Sequence, residues 1–177
     1  HALPFGLRQV KLTPYLPDGT LDAANAVFLP AARTFSFAEA EEFEELQGDD
    51  RTVASHGAGP TVDWELEGGG ISLAAYRIFA GGTVTSTGST PAAVRTYVKK
   101  TSDSRPYFQV EGRAISDNGG DFHAVVHRCK ADGDLEGELA NGSFFLTQAS
   151  GKGYGNETTE VLYEFKHNET PVPLVLS

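Results

Sequence analysis

The segment Thr61-Val-Asp-Trp-Glu-Leu-Glu67 alternates without a break, with Val62, Trp64 and Leu66 on one side and Asp63, Glu65 and Glu67 on the other. A period of two belongs to a half-buried antiparallel strand; a helix would turn Trp64 away from Val62 and Leu66. The chain therefore needs a sheet with one apolar face. Val161, Tyr163 and Phe165 alternate with Glu160, Leu162, Glu164 and Lys166, and Phe108, Val110 and Gly112 with Gln109, Glu111 and Arg113. Residues 122–130 are β-branched and aromatic enough for a further strand. Weaker patterns predict strands at 7–13, 33–45, 92–100 and 135–146.

Turn clusters separate these runs: Pro17-Asp18-Gly19, Asp117-Asn118-Gly119-Gly120, Asp132-Gly133-Asp134 and Asn141-Gly142. Glycine supplies positive φ there, and Asp or Asn side chains bond the turn backbone. Their spacing predicts a meander of hairpins between 108 and 146. One helix interrupts the strands, because Ile71, Ala74, Ala75 and Ile78 fall at i, i+3, i+4 and i+7. Leu73, Tyr76 and Phe79 widen that stripe, and Gly81-Gly82 closes it. The preceding Gly68-Gly69-Gly70 offers no side-chain cap. A helix this short holds only by packing on the sheet. Residues 47–60 and 81–91 read as long loops, a class that is usually functional or disordered. The expectation is one domain over 1–177, an antiparallel β-sandwich or barrel with one packed helix and extended arms at 1–6 and 170–177.

Charge narrows the partners. Fourteen Lys and Arg against 24 Asp and Glu give a net charge of −10. A free-standing nucleic-acid binder needs a basic footprint, and anionic membrane surfaces repel such a chain. Cys129 is the only cysteine, so no internal disulfide framework is possible and a reducing compartment is the simpler reading. Sequons at Asn141, Asn156 and Asn168 read as chance, since no signal stretch opens the chain.

The search for chemistry returns little, and no catalytic residue or cofactor is assigned. There is no G-x-S-x-G or H-E-x-x-H, and one cysteine forbids C-x-x-C. Gly151-Lys152-Gly153-Tyr154-Gly155 lacks the distal Gly and the Ser or Thr of a phosphate loop, and reads as a flexible hairpin loop. His123, His127 and Cys129 share parity on one strand. His127 and Cys129 could share a zinc ion, but His123 lies about 13 Å along the strand from His127, so no closed site results. Nothing singles out a carboxylate pair for hydrolysis.

Acidic patterning is what remains. Glu39, Glu41, Glu42, Glu44 and Glu45 crowd one segment around Phe37 and Phe43, and Asp63, Glu65 and Glu67 form a stripe. Such a stripe is either a solvated outer face or a surface that must not hold a polyanion.

In order of elements the chain resembles the major tail tube proteins of long-tailed, siphovirus-type bacteriophages. The resemblance rests on Thr34-Phe35-Ser36-Phe37, then Leu46-Gln47-Gly48-Asp49-Asp50-Arg51-Thr52-Val53-Ala54, then the acidic strand at 61–67, Gly69-Gly70-Ile71-Ser72-Leu73 and a helix closed by Gly81. It spans about residues 5–130 as a pattern and includes no catalytic signature. It implies a structural virion protein, assembled in the host cytoplasm, whose homohexameric rings stack into a tube for the genome and the tape-measure protein. Tail completion and tip proteins are implied partners, double-stranded DNA passes without being bound, and no membrane is involved. The implied lumen residues are Asp63, Glu65 and Glu67, then Glu39 and Glu41. The implied contacts between rings are Gln47, Gly48, Asp49, Asp50 and Arg51 in the 47–60 loop, with Leu3 and Phe5 in one arm and Leu174 and Leu176 in the other.

Physics adds two points beside the resemblance. Joining sheets across subunits removes exposed strand edges, and the proline-bearing arms stay extended, ready to lie on a neighbour. Two alternatives stand beside the tube: a secreted or surface β-sandwich binding module, and a type VI secretion inner tube protein.

Overall fold

A computed structural model describes residues 1–48, 51–57 and 59–176. Among them the strands are β1 (Pro4–Pro14), β2 (Val27–Phe28), β3 (Ala32–Ala40), β4 (Phe43–Gly48), β5 (Arg51–Gly57) and β6 (Thr61–Gly68). After the helix α1 (Leu73–Ala80) come β7 (Thr83–Thr87), β8 (Val94–Val98), β9 (Phe108–Ser116), β10 (Asp121–Ala131), β11 (Thr147–Gly153) and β12 (Tyr163–Asn168). The fold is mainly β and antiparallel, with a single helix, as the alternating segments predict.

The main sheet runs β2-β1-β9-β10-β11-β6-β3, and β12 adds to β10. β10 is long enough to pair twice along one edge: residues 121–126 meet β12 and residues 129–131 meet β11. Strands far apart in this order share one core, so the sheet folds over on itself as a β-sandwich. Val10 and Leu12 of β1 join Val62, Trp64 and Leu66 of β6, Phe108 and Val110 of β9, and Ala75, Ile78 and Phe79 of α1. Trp64 stacks on Phe79 at 6.4 Å and meets Phe108 edge-on at 5.4 Å. Truncating a buried aromatic at such a junction typically costs about 3–5 kcal/mol.

The helix differs from its prediction at its start. Ser72 is the N-cap, its Oγ accepting a hydrogen bond from the Ala75 amide at 3.2 Å. Ile71 therefore precedes the helix and is half exposed, leaving Ala75, Ile78 and Phe79 as the buried stripe. Gly81 closes the helix at φ 76°, with its amide bonded to the Arg77 carbonyl.

Several strand predictions are corrected. The run 33–45 divides, because β6 begins at Thr61 and β3 has no partner past Ala40; β4 then leaves to pair with β5. Much of the predicted loop 47–60 is thus a ribbon, and 81–91 contains β7, whose threonines and Val84 suit a strand. Residues 135–146 form no strand: they connect β10 to β11, with Phe145 folded over Gly137. The predicted glycine loop at 151–155 is partly β11, wedged between β10 and β6. Glycine is required there, since a methyl at Gly151 would run into the Lys130 carbonyl and one at Gly153 would lie 2.6 Å from Val126 Cγ1.

Candidate functional site

The acidic face is built by β6 and its two neighbours. Glu65 stands across from Ser36 on β3 and Ser150 on β11, Asp63 across from Ala38 and Lys152, and Glu67 across from Thr34 and Gln148. Asp63 and Glu65 are exposed and Glu67 half-buried, while Val62, Trp64 and Leu66 are buried behind them. Cations enter the stripe. Lys152 Nζ lies 2.8 Å from Asp63 Oδ1, which pushes the lysine pKa up. Arg33 lies 3.2 Å from Glu67, and Gln148 donates to that carboxylate at 2.7 Å. Exposed pairs of this kind contribute little stability, but they dilute the negative field. Glu65 is the carboxylate of the stripe that faces hydroxyls on both sides.

Glu39 and Glu41 lie at the far end of β3. The Tyr163 hydroxyl donates to Glu39 at 2.7 Å, and that carboxylate pushes the tyrosine pKa up. Glu41 accepts the Gly59 amide at 3.3 Å. The five predicted acidic residues thus fall into a stripe on β6 and a pair at the end of β3.

Both predicted arms are seated on their own chain. Pro4–Gly6 belongs to β1 and pairs with β9, so the free N-terminal arm is shorter than 1–6. Leu3 donates its amide to Ser116 Oγ at 3.0 Å and accepts the Asp117 amide at 2.9 Å. Its side chain is half exposed and that of Phe5 is 74% exposed. At the other end Gln9 clamps Leu174 twice: the Leu174 amide donates to Gln9 Oε1 at 3.0 Å, and Gln9 Nε2 donates to the Leu174 carbonyl at 3.3 Å. Leu174 is buried and Leu176 half exposed. Gln47 and Gly48 end β4 and Arg51 opens β5, whereas Asp49 and Asp50 lie outside the described residues.

Under the C-terminal arm lies a polar cluster that sequence reading missed. Arg113 Nε donates to Asp121 Oδ2 at 2.6 Å, and Asn168 and the Val172 amide donate to the same carboxylate at 2.8 and 2.7 Å. Burial alone would push the Asp121 pKa up, but these donors outweigh it and hold the carboxyl well below the usual range. His123 stands between Glu111 and Asp121, 3.3 Å from each. Alternation sets Glu111 and Arg113 opposite Phe108 and Val110; the arm whose Val172 amide closes the cluster on Asp121 lies 51 residues further along the chain, so no local signal could reveal it.

The shared parity of His123, His127 and Cys129 is also corrected. Between Val126 and Cys129 β10 bulges at Arg128, whose φ is 49°, and the register slips by one. Cys129 turns into the core with Val126, where burial pushes its thiol pKa up, while His123 lies with Asp121 on the opposite face. His127 is 3.1 Å from Glu164. Among the described residues no group of three His, Cys, Asp or Glu side chains is arranged to hold a metal ion.

The sandwich stays open along one side. Among the described residues β3 pairs only with β6 and β12 only with β10, so each leaves one backbone edge unpaired there. Between them runs an aromatic ladder: Phe35 to Phe37 at 5.3 Å, Phe37 to Phe165 at 5.6 Å, and Phe165 to Phe122 and Tyr163 at 5.4 and 5.3 Å. Phe35 covers Gly112 of β9, while Phe37 and Phe165 remain 36% and 51% exposed.

No known protein family matches the sequence, and no curated protein is significantly similar to it.

Proposed function

We propose that this chain is a structural, non-enzymatic subunit of a tube of the phage-tail type. It forms homohexameric rings that stack into a conduit for double-stranded DNA. The observation that carries the reading is the open side of the sandwich, where two unpaired strand edges flank half-exposed Phe37 and Phe165. An exposed edge beside apolar side chains is a template for another chain, and a ring of subunits abolishes such edges by pairing them. A neighbour's strand laid along β3 or β12 would satisfy that backbone and cover the aromatic ladder together.

In this reading the β6 stripe forms part of the inner wall. Glu65 between Ser36 and Ser150, with Asp63 and Glu67 partly offset by Lys152 and Arg33, makes a polar and mildly anionic surface. Such a wall offers DNA phosphates no cluster of free cations to grip. Trp64, which a sugar-binding platform would expose, is 2% exposed, so nothing here favours a carbohydrate module.

The test is direct. The purified chain is concentrated, sized by analytical ultracentrifugation and imaged by negative-stain electron microscopy. Rings or stacked tubes are expected; a chain that stays monomeric with no annular particle contradicts the reading.

A further inference from the structure

Residues 134–146, between β10 and β11, form neither strand nor helix. Their sequence nevertheless carries a hairpin signal, since Asn141-Gly142 stands between Glu138-Leu139-Ala140 and Ser143-Phe144-Phe145. Gly142 takes the positive φ, 85°, that such a turn requires. Among the described residues the excursion makes one backbone hydrogen bond to itself, from the Ser143 amide to the Ala140 carbonyl at 3.4 Å. That bond sets Leu139 across the turn from Phe144. Both are 91% exposed, the highest value for any large hydrophobic side chain among the described residues. A run of unpaired backbone this long inside a compact domain is usually functional. Its base is fixed on its own chain, where Phe145 folds over Gly137 and the Tyr76 hydroxyl of α1 meets the Glu136 carbonyl at 3.5 Å. Its tip is a hairpin turn with no sheet to join.

β12 is the complementary feature, a sheet edge that lacks an outer strand among the described residues. Tyr163, Phe165 and His167 share the face of the aromatic ladder, and Glu164, Lys166 and Asn168 take the opposite one. The excursion has the same period, with Gly137 and Leu139 on one side and Glu136 and Glu138 on the other. Laid antiparallel with Leu139 opposite Phe165, it sets Glu138 opposite Lys166 and Glu136 opposite Asn168. A slip of one residue puts Leu139 on the charged face, and a slip of two that brings it to Tyr163 sets Glu138 against Glu164. Charge also selects β12 over β3. Residues 132–146 hold four carboxylates and no Lys or Arg, and the far end of β3 carries Glu39 and Glu41, whereas the Lys166 side chain is half exposed on β12.

We propose that the 136–144 excursion of one copy adds as a strand to the β12 edge of the next, covering Phe165 with Leu139 and Phe144. Backbone pairing supplies the affinity and alternate side chains fix the register. Donor and acceptor are different parts of the chain, so the contact is heterologous and repeats from copy to copy until a ring closes. This contact rests on the tube reading for its second copy and supplies the strand that closes the open side.

Two experiments on the full chain test it. Leu139→Ser with Phe144→Ser removes side chains that are nine-tenths exposed, so the urea midpoint stays at the parent value. Half-assembly nevertheless requires a concentration at least roughly ten-fold higher, because both side chains are buried in the contact. Glu138→Cys and Lys166→Cys are then made in separate chains, mixed under assembling conditions and oxidised. Opposed residues of an antiparallel pair lie within reach of a disulfide, so the mixture yields covalent dimers and neither chain alone does. Cys129 is fully buried and does not compete. The proposal is overturned if the serine variant assembles like the parent, or if assembled mixtures give no cross-link between positions 138 and 166; the tip or the edge then has another occupant. Either result leaves the tube reading standing, whereas a parent chain that never assembles removes both.

Discussion

Asp121 lies 2.6 Å from Arg113 on the neighbouring strand, and neither side chain retains appreciable contact with water. The pair ties β9 to β10, and through the Val172 amide it also holds the C-terminal arm. Removing one member leaves the other charged, buried and uncompensated, which typically costs about 3–5 kcal/mol.

Asp121→Asn therefore lowers unfolding free energy by about 3 kcal/mol in urea titrations at neutral pH. The pH dependence follows from the direction of the shift. The folded carboxyl titrates well below its ordinary value of 3.8, so between the two values the unfolded chain binds the proton and the folded chain does not. The stabilisation is present in full above about pH 5 and is lost as pH falls through and below that ordinary value. Asp121→Asn flattens this acid limb.

Gln9 supplies both hydrogen bonds to the Leu174 backbone, so Gln9→Ala loosens the arm without opening the core. Amide exchange at Leu174 quickens by roughly ten-fold, the equivalent of one or two lost hydrogen bonds, while exchange in β6 stays unchanged.

Gly151→Ala places a methyl against the Lys130 carbonyl, which is backbone and cannot swing aside. The β10–β11 pairing parts, at a cost of about 3 kcal/mol or more, read as a fall in urea midpoint. Gly119→Ala, at a turn where a methyl meets nothing within 4 Å, costs only the strain of its φ of 98°. It lowers stability by about 1–2 kcal/mol.

Cys129 is fully buried with its thiol pKa pushed up, so iodoacetamide labels it only on unfolding. Mass spectrometry of the native chain finds it unmodified at neutral pH, and labelling rises in step with the urea transition.

These outcomes divide along the line between local and distant causes. The alternation of Val62, Trp64 and Leu66 with Asp63, Glu65 and Glu67 was legible because each residue's burial follows from its own strand's parity. Parity fails where a bulge intervenes, and Arg128 carries no sequence mark that it will take a left-handed conformation and turn Cys129 into the core. Gly151 and Gly153 read as a loop because glycine disfavours strands in isolation; their small size answers to Lys130 and Val126, which only the folded pairing brings near. The acidic stripe was legible, but Lys152 and Arg33 reach it from neighbouring strands and temper it. The arm over Arg113 and Asp121 was hidden altogether, since burial of a polar face by a remote segment leaves its alternation unchanged.

Phe165→Ser probes the open side. The side chain is half exposed, so the monomer loses only about 1 kcal/mol with its ring contacts. On the proposed tube reading assembly is lost nonetheless, because the cover for β3 and β12 depends on that aromatic ladder; the expected sedimentation result is monomer at concentrations where that reading has the parent forming rings.

The most direct measurement is a cryo-electron microscopy map of the assembled parent chain, read for what meets the free edges of β3 and β12 and for where Glu65 points. The account predicts neighbouring backbone hydrogen-bonded to at least one of those edges and Glu65 on the inner wall. Particles in which both edges stay in solvent, or in which Glu65 lines the outside, contradict it.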